Sequence, residues 1–268
     1  NYIVPILKFS KRIVTCHDLL FLEVPKYFSL RYRLQRKLLF YVSSKTSDIV
    51  STVSNYSASS ISKYFSIPIH KISIAPNAIV ESKNFEEIKK NKEILTKKFF
   101  LYVSRFEPRK NQHLLIKAFK KFCESNDGDY KLILVGYPDI NYPDLTKELV
   151  NLDCDRVLVL SDITRDELNW LYKNSVASIY PSHGEGFGIP PIEAIAAGGK
   201  SYCSNNTALM ELSNYVNGTF DSTNVEDITK TLNEATREVD LEHQTYLREA
   251  VIYKFTWEKA AKKFISSL

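Results

Sequence analysis

The sequence predicts an α/β protein with two parallel, doubly wound sheets, of which the first is incomplete. Strand candidates alternate with helix candidates along almost all of its 268 residues, which is typical of parallel sheets with helices on both faces. The later part of the chain supplies six strands, enough for a complete doubly wound domain. Only three strands precede it, and three strands make a thin sheet with an uncovered edge.

The strand and helix candidates divide the chain into four parts. We expect a partial N-terminal domain over 1–82, a charged linker over 83–98, a complete domain over 99–253 and a closing helix within 254–268. The early strands are expected at 12–16, 48–53 and 71–76, with helices at 30–45 and 56–65. The later strands are expected at 99–104, 130–136, 156–160, 176–182, 200–204 and 217–221. The helices between these later strands are expected at 111–124, 144–151, 164–174, 190–197 and 207–213. Thr164 and Glu167 form a capping-box pattern at the start of one of these helices.

Composition excludes several classes of protein. The chain is 44% hydrophobic and 25% charged, as soluble globular proteins are. No apolar run is long enough to cross a membrane, and the N-terminus lacks a signal-peptide pattern. The four cysteines are scattered, which favours reduced thiols in the cytoplasm over a disulfide or zinc framework. No basic pattern interleaved with aromatic residues indicates a nucleic-acid partner.

The net charge of +5 is unevenly distributed. Within 31–45 (RYRLQRKLLFYVSSK), four apolar residues share one helical face, and basic residues surround it. These apolar residues are Leu34, Leu38, Leu39 and Val42. Such a helix can face the core with a solvated back, or it can lie on an anionic membrane surface. We expect the core-facing arrangement.

A glycine-rich loop with two glutamates is the most informative local pattern. The segment HGEGFGIPPIEAIAAGG (183–199) follows an apolar strand candidate, and its two prolines suit the first turn of a helix. Helix N-termini attract anions through free N–H groups and the helix dipole. Glu185 and Glu193 can accept hydrogen bonds from hydroxyls. A nucleotide-sugar, which carries both phosphates and hydroxyls, fits this pattern. A loop without a ligand, with Glu193 only favouring the helix dipole, is the alternative.

A basic turn follows the first strand of the larger domain. It reads RFEPRKN over 105–111, and Arg105 and Lys110 flank its proline. Ligands of doubly wound sheets bind beyond the carboxyl ends of the strands, where two cations would neutralise a diphosphate leaving group. Merely solvated cations are the alternative, and Arg109 is expected to face solvent.

Two further polar patterns adjoin predicted strands. His17 and Asp18 follow the strand 12–16, where a histidine can bind a sugar hydroxyl, although a histidine satisfied within the protein is the alternative. Asp153 and Asp155 match the DxD spelling of metal-binding sugar transferases. They precede the strand 156–160 and so fall at the opposite edge of the sheet, and no metal site is predicted.

Together these segments resemble glycosyltransferase family 4, whose members are retaining enzymes of the GT-B fold with two Rossmann-like domains. The resemblance is carried by RFEPRKN, by EGFGIPPIEAIAAGG and by SNNTALMEL (204–212). The segment 53–79 resembles the end of the family's first domain. The segment 254–264 resembles the closing helix, which crosses back onto that domain. The family's early glycine-rich acceptor loop has no counterpart here.

The resemblance implies a role for each matching residue. Arg105 and Lys110 would bind the donor diphosphate, and Glu185 would touch the donor sugar. Glu193 would bind the ribose, and His17 would contact the transferred sugar. The implied catalytic set is His17, Arg105, Lys110 and Glu185. Donor binding is expected at Gly186, Phe187, Gly188, Ile189 and Glu193. No metal or other cofactor is implied.

The implied activity is transfer of a hexose, with retention, from a nucleotide diphosphate sugar to a saccharide or lipid-linked acceptor. The pattern looks most like mannosyltransferases of surface polysaccharide synthesis, with GDP-mannose ahead of UDP-sugars. Such an enzyme would be cytoplasmic, and its segment 31–45 could contact the inner face of the membrane. A nucleotide-sugar-binding protein without catalysis is the main alternative, since the first domain is incomplete. A phosphorylase with bound pyridoxal is another.

Overall fold

Two parallel sheets organise the chain. The computed structural model describes residues 10–80, 84–87, 98–137, 142–150, 156–238 and 240–267. The first sheet has the order β1–β2–β3, with β1 at Ile13–Thr15, β2 at Ile49–Thr52 and β3 at Ile72–Ile74. Its helices are α1 (Leu20–Glu23), α2 (Leu30–Thr46) and α3 (Asn55–Phe65).

The second sheet has six parallel strands in the order β6–β5–β4–β7–β8–β9. This is the doubly wound order, because successive strands are added toward one edge from β4 to β6 and toward the other edge from β7 to β9. The predicted α/β architecture is therefore confirmed. The strands are β4 (Lys98–Val103), β5 (Tyr130–Val135), β6 (Val157–Leu160), β7 (Ala177–Tyr180), β8 (Ser201–Ser204) and β9 (Gly218–Phe220).

Helices α4 to α10 accompany this second sheet. They are α4 (Gln112–Glu124), α5 (Pro143–Val150), α6 (Arg165–Asn174), α7 (Ile189–Ala196), α8 (Val225–Ala235), α9 (Leu241–Lys254) and α10 (Trp257–Ile265). The capping box predicted at Thr164 is present at the start of α6. The helix predicted over 207–213 is instead a 3₁₀ helix, Thr207–Tyr215. Helix α10 lies against β3 of the first sheet. Most of the predicted linker lies outside the described residues.

Both faces of the second sheet are covered, which explains the apolar run of β4 from Phe99 to Val103. Phe100 and Tyr102 belong to one hydrophobic cluster, whereas Phe99 and Leu101 belong to another. Successive residues of a strand point to opposite faces, so the two clusters lie on opposite sides of the sheet. The unbroken apolar run is therefore what a strand with helices on both sides requires.

Helix α2 contradicts the core-facing expectation for the segment 31–45. Its inward side carries Phe40, Ser43 and Ser44, and the Phe40 ring packs edge-on against Phe65 with the centroids 4.7 Å apart. Leu34, Leu38 and Val42 lie on the outward side, where they are 60%, 63% and 46% exposed. The serines allow close packing on the first domain, and the apolar face defined by these three residues points away from it.

Side chains of α3 and the loop before it join the two domains. Glu211, in the 3₁₀ helix of the second domain, accepts hydrogen bonds from the Tyr56 backbone N–H at 2.6 Å and from the Asn55 side chain at 2.9 Å. A carboxylate at a helix N-terminus also favours the helix dipole. Ser54 Oγ donates to the Gly186 carbonyl oxygen at 2.7 Å. The carboxyl edges of the two sheets are thereby held facing each other.

We predict that Glu211→Ala lowers the free energy of unfolding by about 1 to 2 kcal/mol, because it removes charged hydrogen bonds between the domains. Urea unfolding monitored by tryptophan fluorescence measures the change. Glu258→Ala is the matched control, since the ion pair of Glu258 among the described residues is with its helical neighbour Lys262 at the surface. An equal loss in both variants would contradict a specific contribution of Glu211.

Candidate active site

A cavity of about 360 Å³ lies where the carboxyl edges of the two sheets meet. The first domain contributes His17 and Asp18, which follow β1, and Asn77, which follows β3. The second domain contributes Lys110, Tyr180 and the residues 185–190. Because both walls are strand ends and loops, the cavity occupies the position where doubly wound proteins bind ligands.

A larger cavity, of about 950 Å³, lies between α9, α10 and residues 213–217. Its lining carries several tyrosines and lysines but no carboxylate. The smaller cavity combines carboxylates and cations at the strand ends, so it is the better candidate for chemistry.

The centre of the smaller cavity is a buried ionic cluster. Lys110 Nζ lies 2.7 Å from Glu185 Oε1 and donates to the Tyr180 hydroxyl at 2.8 Å. The Tyr180 hydroxyl in turn donates to Glu185 Oε1 at 3.2 Å. Arg109 Nη1 lies 3.2 Å from the same carboxylate oxygen. The side chains of Lys110 and Glu185 are only 10% and 11% exposed.

The electrostatics of this cluster keep Glu185 ionised. Burial alone would raise the pKa of its carboxyl, but the Lys110 ammonium and the Arg109 guanidinium outweigh burial and hold the pKa below its usual value. Burial and the neighbouring Glu185 carboxylate raise the pKa of Tyr180 far above its usual value, so its hydroxyl remains a donor. The cavity therefore presents a carboxylate that stays ionised at neutral pH beside a buried ammonium.

The two arginines of the basic turn differ in exposure. Arg109, expected to face solvent, is 13% exposed and donates from Nη1 to the Gly184 carbonyl oxygen. That expectation was wrong, because the 3₁₀ turn Pro108–Lys110 directs both Arg109 and Lys110 inward. Arg105 is exposed and has no ionic partner among the described residues. Its role at a diphosphate remains a prediction.

The glycine loop meets the first domain closely. A Cβ on Gly186 would lie 2.7 Å from the His17 carbonyl oxygen and 2.8 Å from Asp18 Cβ. Gly188, the residue before α7, has φ +108°, a conformation that favours glycine. Gly186 therefore serves the packing of the two domains against each other, in addition to any ligand, whereas Gly188 serves the turn into α7. The Phe187 ring packs edge-on against Phe255, with the centroids 5.7 Å apart.

The predicted donor-binding residues fall into two groups. Gly186, Phe187, Gly188 and Ile189 line the cavity beside Glu185. Glu193 lies further along α7, beyond its first turn, where it pairs with Arg165 Nη2 at 2.6 Å. It also accepts a hydrogen bond from the Tyr172 hydroxyl at 3.4 Å. The structure thus brings Glu185 and the glycine loop together and places Glu193 outside this lining.

Asp18 and Tyr180 line the site without a predicted role, although Asp18 was noted beside His17 in the sequence. Asp18 accepts a hydrogen bond from the Leu20 backbone N–H at 3.1 Å, and burial raises the pKa of its carboxyl. Tyr180 ends β7, so the strand-end rule that selected Lys110 could have selected it as well. No sequence pattern indicates that its hydroxyl lies within a cluster of charged side chains.

Metal ligation was tested against the same geometry. Within the ranges that the structure describes, no three His, Cys, Asp or Glu side chains cluster as metal ligands would. Asp153 and Asp155, which the sequence placed at the opposite edge of the sheet, lie outside the described residues.

Comparison with known families identifies the class of protein. Residues 83–251, more than half of the chain, match the family described as glycosyl transferases group 1. The chain belongs to the group 1 glycosyl transferases. This match confirms the family resemblance and includes both the basic turn and the glycine loop of the site.

Named relatives of this group 1 glycosyl transferase include two O-antigen enzymes. O-antigen chain mannosyltransferase RfbU of Salmonella typhimurium is 33% identical over 198 residues, covering 74% of this chain and 52% of the relative. O-antigen chain mannosyltransferase B of Escherichia coli is 28% identical over 214 residues, covering 76% and 56%. The chain therefore spans about half the length of these curated relatives.

A solved structure shows the fold of this group 1 glycosyl transferase. Anabaena Alr3699/HepE, crystallised in complex with UDP and glucose, superposes with a TM-score of 0.75 at 18% identity. The match covers 95% of this chain and 70% of the neighbour. Together with the two parallel sheets, it confirms the predicted GT-B fold.

We predict that Gly186→Ala weakens the contact between the domains, because the added methyl group collides with the backbone carbonyl of His17. Gly184→Ala is a matched control in the same loop, since the atoms nearest to its methyl group all belong to side chains, those of Leu20, Thr207 and Val24 at 3.1, 3.5 and 3.7 Å. Differential scanning fluorimetry should show a melting temperature several degrees lower for Gly186→Ala, roughly as expected for a loss of 1 kcal/mol or more. Equal melting temperatures would contradict the packing role assigned to Gly186.

Proposed function

We propose that this chain transfers a hexose from a nucleotide diphosphate sugar to a saccharide or lipid-linked acceptor, with retention at the anomeric carbon. The observation that carries the proposal is the buried Lys110–Glu185 pair, which lies in the interdomain cavity beside the N-terminus of α7. Such a site can bind a diphosphate and a sugar ring side by side.

The donor is proposed to be GDP-mannose. The relatives RfbU and mannosyltransferase B are described as O-antigen chain mannosyltransferases, which supports mannose as the sugar and surface polysaccharide synthesis as the process. A UDP-linked sugar is the next candidate, since the neighbour Alr3699/HepE was crystallised with UDP and glucose. The acceptor would then be a growing saccharide or its lipid-linked form.

In the proposed reaction, the bond between the anomeric carbon and the diphosphate oxygen breaks while a bond to the acceptor oxygen forms on the same face. The acceptor proton passes to the departing phosphate oxygen. Negative charge grows on the diphosphate as the bond breaks. This charge is stabilised by Lys110, Arg105 and the N-terminus of α7, more strongly in the transition state than in the ground state. These protein cations supply the neutralisation, so the proposal includes no metal.

Two side chains would hold the transferred sugar in this proposal. The ionised Glu185 carboxylate accepts hydrogen bonds from sugar hydroxyls, and His17 contacts the sugar from the opposite wall of the cavity. Glu193 is proposed to bind the ribose, for which its carboxylate would leave or share Arg165. A protein that binds nucleotide-sugar without catalysis remains the second candidate function, and the assay below separates the two.

The outward face of α2 supports contact with an anionic lipid surface at the cytoplasmic side. Leu34, Leu38 and Val42 lie on this face, with the exposed Lys37 and Lys45 beside them. The helix contains five basic residues and no acidic one. Apolar side chains bordered by lysine are typical of helices that lie in a membrane interface. No helix of the described residues has the length and hydropathy of a membrane span.

We predict that Lys110→Ala lowers the rate of mannose transfer by about 100-fold or more, because it removes the buried cation beside the leaving group. Release of GDP and formation of the mannosylated acceptor are measured together, in parallel with UDP- and ADP-linked sugars. Lys121→Ala, on the exposed side of α4, is the control and should match the wild type. Binding of donor without transfer by the wild type would favour the non-catalytic alternative, and wild-type rates in Lys110→Ala would refute the role of Lys110.

We predict that the double variant Lys37→Glu, Lys45→Glu loses binding to liposomes that contain anionic lipid, because each lysine near such a surface contributes about 1 kcal/mol. Co-sedimentation with anionic and with zwitterionic liposomes measures the effect. The double variant Lys230→Glu, Lys262→Glu changes charge equally on exposed helices elsewhere and should bind as the wild type does. Equal losses in the two double variants would indicate a general charge effect and contradict a specific surface on α2.

A further inference from the structure

Arg109 contacts the glycine loop through both its side chain and its backbone. Its Nη1 donates to the Gly184 carbonyl oxygen and lies 3.2 Å from Glu185 Oε1. Its carbonyl oxygen accepts from the His183 N–H at 2.9 Å. One residue of the basic turn therefore fixes three consecutive residues of the loop, His183 to Glu185.

The turn that carries Arg109 is itself rigidly held. Asn111, which ends this turn, has φ +63° and donates from Nδ2 to the carbonyl oxygens of Pro181 and Ser222, at 3.1 and 2.7 Å. The second terminal nitrogen of Arg109, Nη2, pairs with the Glu107 carboxylate at 2.5 Å. A planar guanidinium with partners on two sides has little freedom to leave, unlike the ammonium of a lysine.

Lys110 faces competing demands in the proposed reaction. It is paired with Glu185 in the structure, yet in the proposed reaction it is also the buried cation that stabilises the diphosphate. If Lys110 were the sole partner of Glu185, turning toward the phosphates would leave a buried carboxylate without a counter-charge, which is strongly unfavourable. A second cation on Glu185 removes this conflict.

We propose that Arg109 is a positioning residue, which holds Glu185 and the glycine loop against the donor sugar while Lys110 turns to the diphosphate. The inference rests on the proposed function, because it assumes that Glu185 binds the sugar of a nucleotide-sugar. It assigns to Arg109 the recognition of the sugar part of the donor, acting through Glu185, and not of the nucleotide part.

The pH dependence of sugar recognition should report this role. The ionisable groups that face Glu185 are Lys110 and Arg109 from the basic turn, Tyr180 and Tyr102 from strands, and Asp18 from the first domain. Removing the Arg109 charge takes away one of the two cations that lower the pKa of Glu185. Since a lowered pKa keeps the carboxylate ionised into acid, its loss should make sugar recognition fail at a higher pH than in the wild type.

The experiment compares the affinities for GDP and for GDP-mannose by calorimetry in the wild type, Arg109→Gln and Arg109→Lys. We expect Arg109→Gln to weaken GDP-mannose about tenfold while changing GDP by less than about threefold, since one charged contact is lost from the sugar side only. Arg109→Lys should recover part of the difference, because it restores the charge without the forked geometry. Arg237→Gln, the same substitution at an exposed arginine, is the control.

Each outcome decides the inference. An unchanged ratio of the two affinities in Arg109→Gln overturns it, as does an equal loss for both ligands, which would indicate that the mutation only loosens the fold. If the pH below which GDP-mannose binding is lost is the same in Arg109→Gln as in the wild type, that result also counts against the inference. Failure of the wild type to bind GDP-, UDP- or ADP-sugars would overturn the proposed function itself, and the inference with it. A wild type that prefers a UDP-sugar directs the same comparison to UDP and that sugar.

Discussion

A buried carboxylate beside a buried ammonium is the constraint on which the rest of the site depends. Glu185 has almost no contact with water, so its charge requires counter-charges and hydrogen-bond donors from the protein. Lys110, Arg109 and Tyr180 supply them, and they come from the ends of two neighbouring strands, β4 and β7. The doubly wound strand order makes these two strands adjacent at the switch point. The charge pair therefore depends on the fold.

The same loop that carries Glu185 also joins the domains. The Gly186 carbonyl oxygen accepts a hydrogen bond from Ser54, and the absence of a side chain on Gly186 lets the backbone of His17 approach. A glycine-rich loop is usually explained by the ligand that it approaches. Here the contacts between domains already require it, so the loop places the wall formed by His17 and Asp18 opposite Glu185 before any donor arrives. The cavity is thus shaped from both sides by residues whose packing is structural.

Much of this arrangement could be predicted from the sequence, and the failures have identifiable physical causes. Strand–helix alternation and the strand-end rule indicated both sheets and brought Lys110 and Glu185 to one edge. Periodicity correctly grouped the leucines of α2 on one face, but it carries no information on which side has a protein partner, and that face points outward. Spacing within a turn does not give side-chain direction, so Arg109 was expected in solvent although its side chain is buried beside Glu185. The roles of Arg109 and of the Tyr180 hydroxyl depend on partners that are distant in the sequence, and no local sequence pattern contains such partners.

Charge balance explains why an exposed Arg105 is compatible with a role at the diphosphate. Glu107, Arg109, Glu185 and Lys110 carry two negative and two positive charges, so the cluster is neutral as it stands. A nucleotide diphosphate brings further negative charge, which the neutral cluster cannot balance alone. The nearby Asp18 carboxyl supplies no positive charge. Arg105 has no ionic partner among the described residues and extends from the same turn into solvent. An exposed cation at the rim costs the folded protein little, because water solvates it there. If Arg105 binds the diphosphate as proposed, it would add the positive charge that the neutral cluster lacks.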